Sequence, residues 1–215
     1  MRLMKPSFPP IAALAVAVVL LALSFGCTSL GSNPKGNQSG QGAAPGSNLS
    51  ISIPRASVPY TAHYVVQENG KQSEKTIWRL GNNLKLAMGD SSVMVELYFL
   101  GDKAYSCSTQ AEGAACYDVT GKLSGFDLSS LVPSPGPDAV PDEIATIGST
   151  RGQCYLEPLG VVGMMKRCFT DRGVLAYEER NQTQSQTYVE YLTDLAYSAS
   201  ESDFALPATP QQPPE

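Results

Sequence analysis

Tyr60, Ala62, Tyr64 and Val66 alternate with Thr61, His63 and Gln67. A period of two along the chain is the mark of a strand with one buried face. Asn69-Gly70 follows at once. Type I′ turns need positive φ at both central residues, and this dipeptide meets that need, so a hairpin is predicted here. The apolar pattern then recurs with turn chemistry between its repeats. Thr76 to Leu80 leads through Gly81-Asn82-Asn83 to Leu84, Leu86 and Met88. Gly89-Asp90 turns the chain into Ser92 to Leu100, and Gly101-Asp102 leads on to Ala104 to Ser108. Turns at intervals of roughly eight to twelve residues predict an antiparallel meander.

The middle of the chain loses this alternation. Ser124 to Gly148 offers two short helical pieces, Phe126 to Leu131 and Asp142 to Ile147, joined by "PSPGPDAVP". Proline excludes that join from a central strand or a helix interior, so the excursion is expected to be a lid. Strands resume with Gln153 to Leu156, Lys166 to Thr170, Val174 to Arg180 and Thr187 to Ser198. In the last of these Val189, Tyr191, Leu195 and Tyr197 share one face, with Glu190 and Asp194 on the other. The chain is therefore mainly β, with about nine or ten strands. Within "SVMVELYFL" one face reads Val93, Val95, Leu97, Phe99 and the other Met94, Glu96, Tyr98, Leu100. A meander apolar on both faces needs cover on each side, which a β-sandwich would also provide.

The N-terminus has a different character. Arg2 and Lys5 precede an apolar run from Ile11 to Phe25. A charged start and a run shorter than the roughly 20 residues of a spanning helix describe a signal peptide over residues 1–26. An uncleaved anchor beginning at Pro9-Pro10 is the other reading, and both place the remainder outside the cytoplasm. Ser24, Phe25 and Gly26 before Cys27 resemble the lipobox of lipoproteins, with Leu23 one place further out than is usual. The same small residues suit ordinary signal-peptidase cleavage. There are five cysteines, and setting Cys27 aside leaves Cys107, Cys116, Cys154 and Cys168. An even set in an exported chain implies disulfides, and lipidation would account for the odd one. Cys107 and Cys116 are spaced to clip two adjacent strands, and Cys154 with Cys168 would close a second loop.

Residues 27–50 form a Gly, Ser, Asn and Gln-rich stretch that cannot bury enough surface to offset chain entropy, and a flexible tether is expected. Asn37, Asn48 and Asn181 begin sequons, relevant only where the host glycosylates exported proteins. Residues 51–207 make one β-rich domain, and 208–215 are expected as a disordered tail. A formal charge of −5 argues against nucleic acid as a partner.

"GQCYLEP" followed by "KRCFTDRGVLAYEER", a long strand and "SDFALP", after the opening "YTAHYVV…TIWRLGNNLKL", resembles the LolA-like superfamily of lipoprotein carriers and lipid-binding lipoproteins. The likeness is greatest to its prokaryotic, often archaeal, membrane-tethered members. It implies a strongly curved antiparallel sheet, a half-barrel, with short helices capping its mouth and an apolar face that receives acyl chains. No functional residue carries over from that resemblance.

Catalysis is not expected. His63 is the only histidine, and no nucleophile elbow, metalloprotease helix, P-loop or dinucleotide fingerprint occurs. The cysteines lack a CxxC or a histidine partner, so no metal and no cofactor is implied. Glu178 and Glu179 are neighbours on a strand and point to opposite faces. Tyr64, Trp78, Leu86, Tyr98, Met164 and Met165 are the candidates for an apolar pocket lining, since aromatic and Met side chains suit adaptable sites. The expectation is an exported lipoprotein anchored to the outer face of the cell membrane, or its periplasmic face, through Cys27 and binding lipid or another apolar molecule. The alternative is a disulfide-clipped surface module whose core is filled by its own side chains.

Overall fold

Asn69-Gly70 turns the chain where its composition says it should. In the computed structural model, which describes residues 58–89, 93–110, 113–123, 131–159, 163–183 and 186–213, these two residues alone join β1 (Tyr60–Glu68) to β2 (Lys71–Leu80). Their φ angles are 51° and 78°, the left-handed values of a type I′ turn, and Glu68 stands opposite Lys71. The meander continues through β3 (Asn83–Gly89), β4 (Met94–Leu100), β5 (Lys103–Gln110) and β6 (Gly113–Asp118), each antiparallel to the last.

A second meander follows the long central connection: β7 (Val140–Ile147), β8 (Thr150–Pro158), β9 (Met164–Thr170), β10 (Leu175–Thr183) and β11 (Gln186–Ala196). β11 pairs antiparallel with β1, from Thr61 opposite Ala196 to Glu68 opposite Tyr188. The two meanders thereby become one sheet. Its twelfth strand, β12 (Pro210–Gln211), runs parallel to β6. The order is β12-β6-β5-β4-β3-β2-β1-β11-β10-β9-β8-β7, a single curved sheet that does not close on itself. The half-barrel is the architecture present, and the β-sandwich is not.

Asp142–Ile147, expected as a helical piece, is the greater part of strand β7. Ile144, Thr146 and Ile147 are β-branched and favour extended backbone, and they pair with Gln153, Arg151 and Thr150 across a two-residue turn. The charges of Asp142-Glu143 would suit a helix start, but they sit at an irregularity of register between Pro141 and Ile144. Of the other expected piece, residues 126–130 lie outside the described residues, as do residues 1–57 with the signal peptide, Cys27, Asn37 and Asn48. Helical structure among the described residues is confined to two single turns of 3-10 type, Thr120–Leu123 and Glu201–Phe204.

Both faces of the sheet are covered in part. On the face that carries Tyr98, Cys107 stands opposite Cys116 and Cys154 opposite Cys168, and both disulfides are formed. Leu206 and Ala208 pack over Tyr98 and the Cys107–Cys116 bridge. The stretch after Pro207, expected as a tail, therefore begins as cover for this face and adds β12 to the edge. On the opposite face, which carries Tyr64, Ala139 packs on the cluster of Tyr155, Phe169 and Leu175. The connection thus lies over that face at Ala139, as a strap.

Each disulfide ties neighbouring strands, so its effect falls mainly on the unfolded chain. Replacing Cys154 and Cys168 by Ala should cost about 3 kcal/mol in urea unfolding, and replacing Cys107 and Cys116 roughly the same less a few tenths. A loss under about 1 kcal/mol for both would show that the bridges add little to the strand pairing.

Candidate functional site: a charged ladder beside apolar rows

Alternation fixes which side chains share the Tyr64 face. Across β1 to β4 two rows run straight over the sheet by register. One is Ala62, Ile77, Leu86 and Leu97, and the other is Tyr60, Arg79, Leu84 and Phe99, ending on Ala104. All but Arg79 are buried. Beyond β1 the apolar positions continue with Leu192 opposite Tyr64, then Leu175 opposite Phe169.

Beside this path the same face carries charge. Glu157 and Met165, Arg167 and Glu178, Glu178 and Glu190, and Arg180 and Tyr188 are cross-strand neighbours on β8 to β11. Two carboxylates directly opposite one another repel, so Glu178 and Glu190 need partners. Glu190 receives Lys75 Nζ at 2.6 Å and the Tyr188 hydroxyl on its other oxygen. Glu178 accepts Arg167 Nε at 2.7 Å on Oε2 and Arg180 Nε on Oε1. Arg167 Nη1 also reaches Glu157 Oε2, at 3.5 Å. The ladder spans β2, β11, β10, β9 and β8. Glu178 and Glu190 are each 2% exposed, so it is buried where its carboxylates meet.

Tyr64 sits where apolar rows and ladder meet. Its hydroxyl donates to the Leu175 carbonyl at 3.0 Å, and Lys75 Nζ lies 5.2 Å from its ring centroid. Burial, with Tyr60 and Glu190 nearby, holds the Tyr64 hydroxyl well above the usual phenol range, so it serves as a neutral donor. For Glu178 burial works against the charged form, but Arg167 and Arg180 outweigh it and the carboxyl lies below its ordinary 4.5.

The six expected lining residues divide between the faces. Tyr64, Leu86 and Met165 are on the Tyr64 face and buried. Trp78 and Tyr98 are on the other, where Lys85 Nζ lies 4.5 Å and 5.0 Å from their ring centroids and pairs with Glu96 at 2.8 Å. Met164 shares that second face and is 47% exposed. One pocket cannot be lined by all six, because residues of opposite parity in a strand point apart. Selection by residue type brought them together, and register separates them. Glu157, Arg167, Glu178, Glu190 and Lys75 escaped that selection. Their signal was available: Glu157 falls in phase with Tyr155, Arg167 with Met165 and Phe169. His63 is exposed, with Nδ1 3.0 Å from Thr76 Oγ1. Among the described residues no group of three or more His, Cys, Asp and Glu could hold a metal ion.

No family model and no curated protein matches the chain. Solved structures do resemble it. MucB in complex with MucA(peri) is 15% identical, with a TM-score of 0.49 over 71% of this chain and 56% of that one. The chain thus spans little more than half of MucB. An uncharacterized conserved protein from Thermus thermophilus is 6% identical, with a TM-score of 0.49 over 69% of this chain and 84% of that one. A LolA superfamily protein from Nitrosomonas europaea is 7% identical, with a TM-score of 0.33 over 71% and 92%.

A carboxyl held below its ordinary value stabilises the fold above that value and ceases to do so as pH falls through the lowered one. Glu178 should therefore contribute in full above about pH 4.5 and progressively less beneath it. The stability difference between wild type and Glu178→Gln, measured by urea unfolding, should narrow as pH drops below that point. A difference that stays constant down to pH ~2 would contradict the assignment.

Proposed function

We propose that this chain is an exported lipoprotein, tethered to the outer face of the cell membrane or its periplasmic face at Cys27, whose Tyr64 face binds lipid or another apolar molecule without catalysing a reaction. The observation that carries the reading is the pair of apolar rows across β1 to β4, on the one face of an open curved sheet that a strap also crosses. The rows are buried in this structure and would have to open to receive an acyl chain, which gains about 0.8 kcal/mol for each methylene removed from water. A dozen would supply on the order of 10 kcal/mol before the costs of association, ample for a stable complex. The tether rests on the lipobox-like residues before Cys27 and on cysteine parity, since the other four cysteines are paired.

Native mass spectrometry of the full-length chain purified from a lipid-containing host should show a lipid held near one to one, recoverable by organic extraction. A protein that is empty, and that also fails to take up a fluorescent fatty acid, would leave the apolar rows as self-filled core. Cys27→Ala should move the protein out of the membrane fraction. Retention of that variant in membranes would assign the anchor to the N-terminal apolar run instead.

A further inference from the structure

The ladder balances its charges but not its hydrogen bonds. Glu157, Glu178 and Glu190 meet Lys75, Arg167 and Arg180, three anions against three cations. Glu178 and Glu190 have both oxygens engaged. Glu157 does not. Among the described residues its Oε2 has the 3.5 Å contact with Arg167, the longest in the ladder, and its Oε1 is buried without a partner. The Glu157 side chain is 9% exposed. A buried acceptor left unmet is costly, more so when charged, and such an atom calls for an explanation.

The position of Glu157 supplies one. It is two residues from Tyr155, which packs with Phe169 and Leu175 beneath Ala139 of the strap. The strap comes so close at Gly136 that a Cβ there would lie 3.1 Å from Glu157 Oε2. Through Phe169, Leu175 and Leu192 the apolar path runs from this point to Tyr64 and the rows on β1 to β4. Four strand spacings separate β8 from β1, roughly 19 Å along the sheet. That compares with the ~15 Å that acyl chains occupy in one leaflet of a bilayer core.

We infer that Glu157 Oε1 accepts a hydrogen bond from an uncharged hydroxyl on the head group of a long-chain amphiphile whose tail lies along the apolar path of the Tyr64 face. This rests on the lipid-binding reading above and names the ligand's chemistry. An ionised carboxylate can only accept, so the head group must donate. Charge balance then selects among donors. An ammonium head would leave the buried ladder with an excess positive charge, and a carboxylate or phosphate head would bring a second anion against Glu157. A hydroxyl satisfies Oε1 and leaves the balance intact.

The test is displacement of a fluorescent fatty acid from the full-length chain by four probes: monoolein, methyl oleate, oleate and oleylamine. Methyl oleate keeps the chain and ester of monoolein but has no donor. Monoolein should bind the wild-type protein at least about tenfold more tightly than the other three, as expected for a hydrogen bond to a charged group. Glu157→Gln should shrink the advantage over methyl oleate and strengthen oleate, since it leaves one cation of the ladder in excess. Equal binding of monoolein and methyl oleate by wild type would overturn the inference while leaving the lipid-binding reading intact, and needs no variant to fold. Tightest binding of oleylamine or oleate would do the same. Failure of all four, with no uptake of the fluorescent acid, would bring down the lipid-binding reading and the inference together.

Discussion

The pairing of β1 with β11 decides what this sheet is. Each meander could form from its own hairpins, but only this pairing brings their faces into a common surface. Side chains alternate with a period of two, so a slip of one residue would turn every side chain of one meander to the wrong face. An irregularity between His63 and Tyr64 sets the phase: Asp194 stands opposite His63 and Leu192 opposite Tyr64, so Thr193 is the extra residue. Its hydroxyl donates to the His63 carbonyl at 3.0 Å. Past that point Leu192 and Glu190 fall on the Tyr64 face, within reach of Lys75 from the other half. Without the bulge Glu190 would fall on the opposite face, away from Lys75.

Two kinds of surface therefore share one face, and they do different work for stability. The apolar rows contribute through burial, which is non-directional and additive in area. The ladder contributes little net, since taking charges out of water offsets most of their attraction, and a well-packed apolar replacement is often as stable or more so. What the ladder supplies is directional: its hydrogen bonds fix defined points on a face whose apolar rows are held by shape alone. Tyr64 couples the two, packing among apolar residues while its hydroxyl bonds to the backbone of β10 beside the charged groups.

Much of this was legible in the residues, for reasons that also explain what was not. Asn69-Gly70 announced its hairpin because positive φ at two successive positions is a strong chemical restriction. The four domain cysteines paired as their strand positions suggested, because neighbouring strands place them opposite one another. β7 was obscured by Asp142-Glu143, whose preference for helix starts is local, whereas its pairing with β8 is decided by the hairpin beyond Ile147. The bulge at Thr193 left no mark in the pattern, since one added residue reads as more strand, and so Asp194 and Leu195 were each assigned to the wrong side. The ladder was missed because charged residues in strands are ordinarily solvated. The phase they share with apolar neighbours is weaker evidence than their chemistry.

Both ends of the sheet finish on strands that contain proline: Pro141 in β7 and Pro210 in β12. Proline offers no amide hydrogen to a would-be neighbouring strand, and the acidic pair and bulge after Pro141 bend and charge that border further. An unclosed sheet is a template on which copies could stack edge to edge into fibrils. The terminal prolines act as stops, so the sheet can remain unclosed without offering its borders to its own kind.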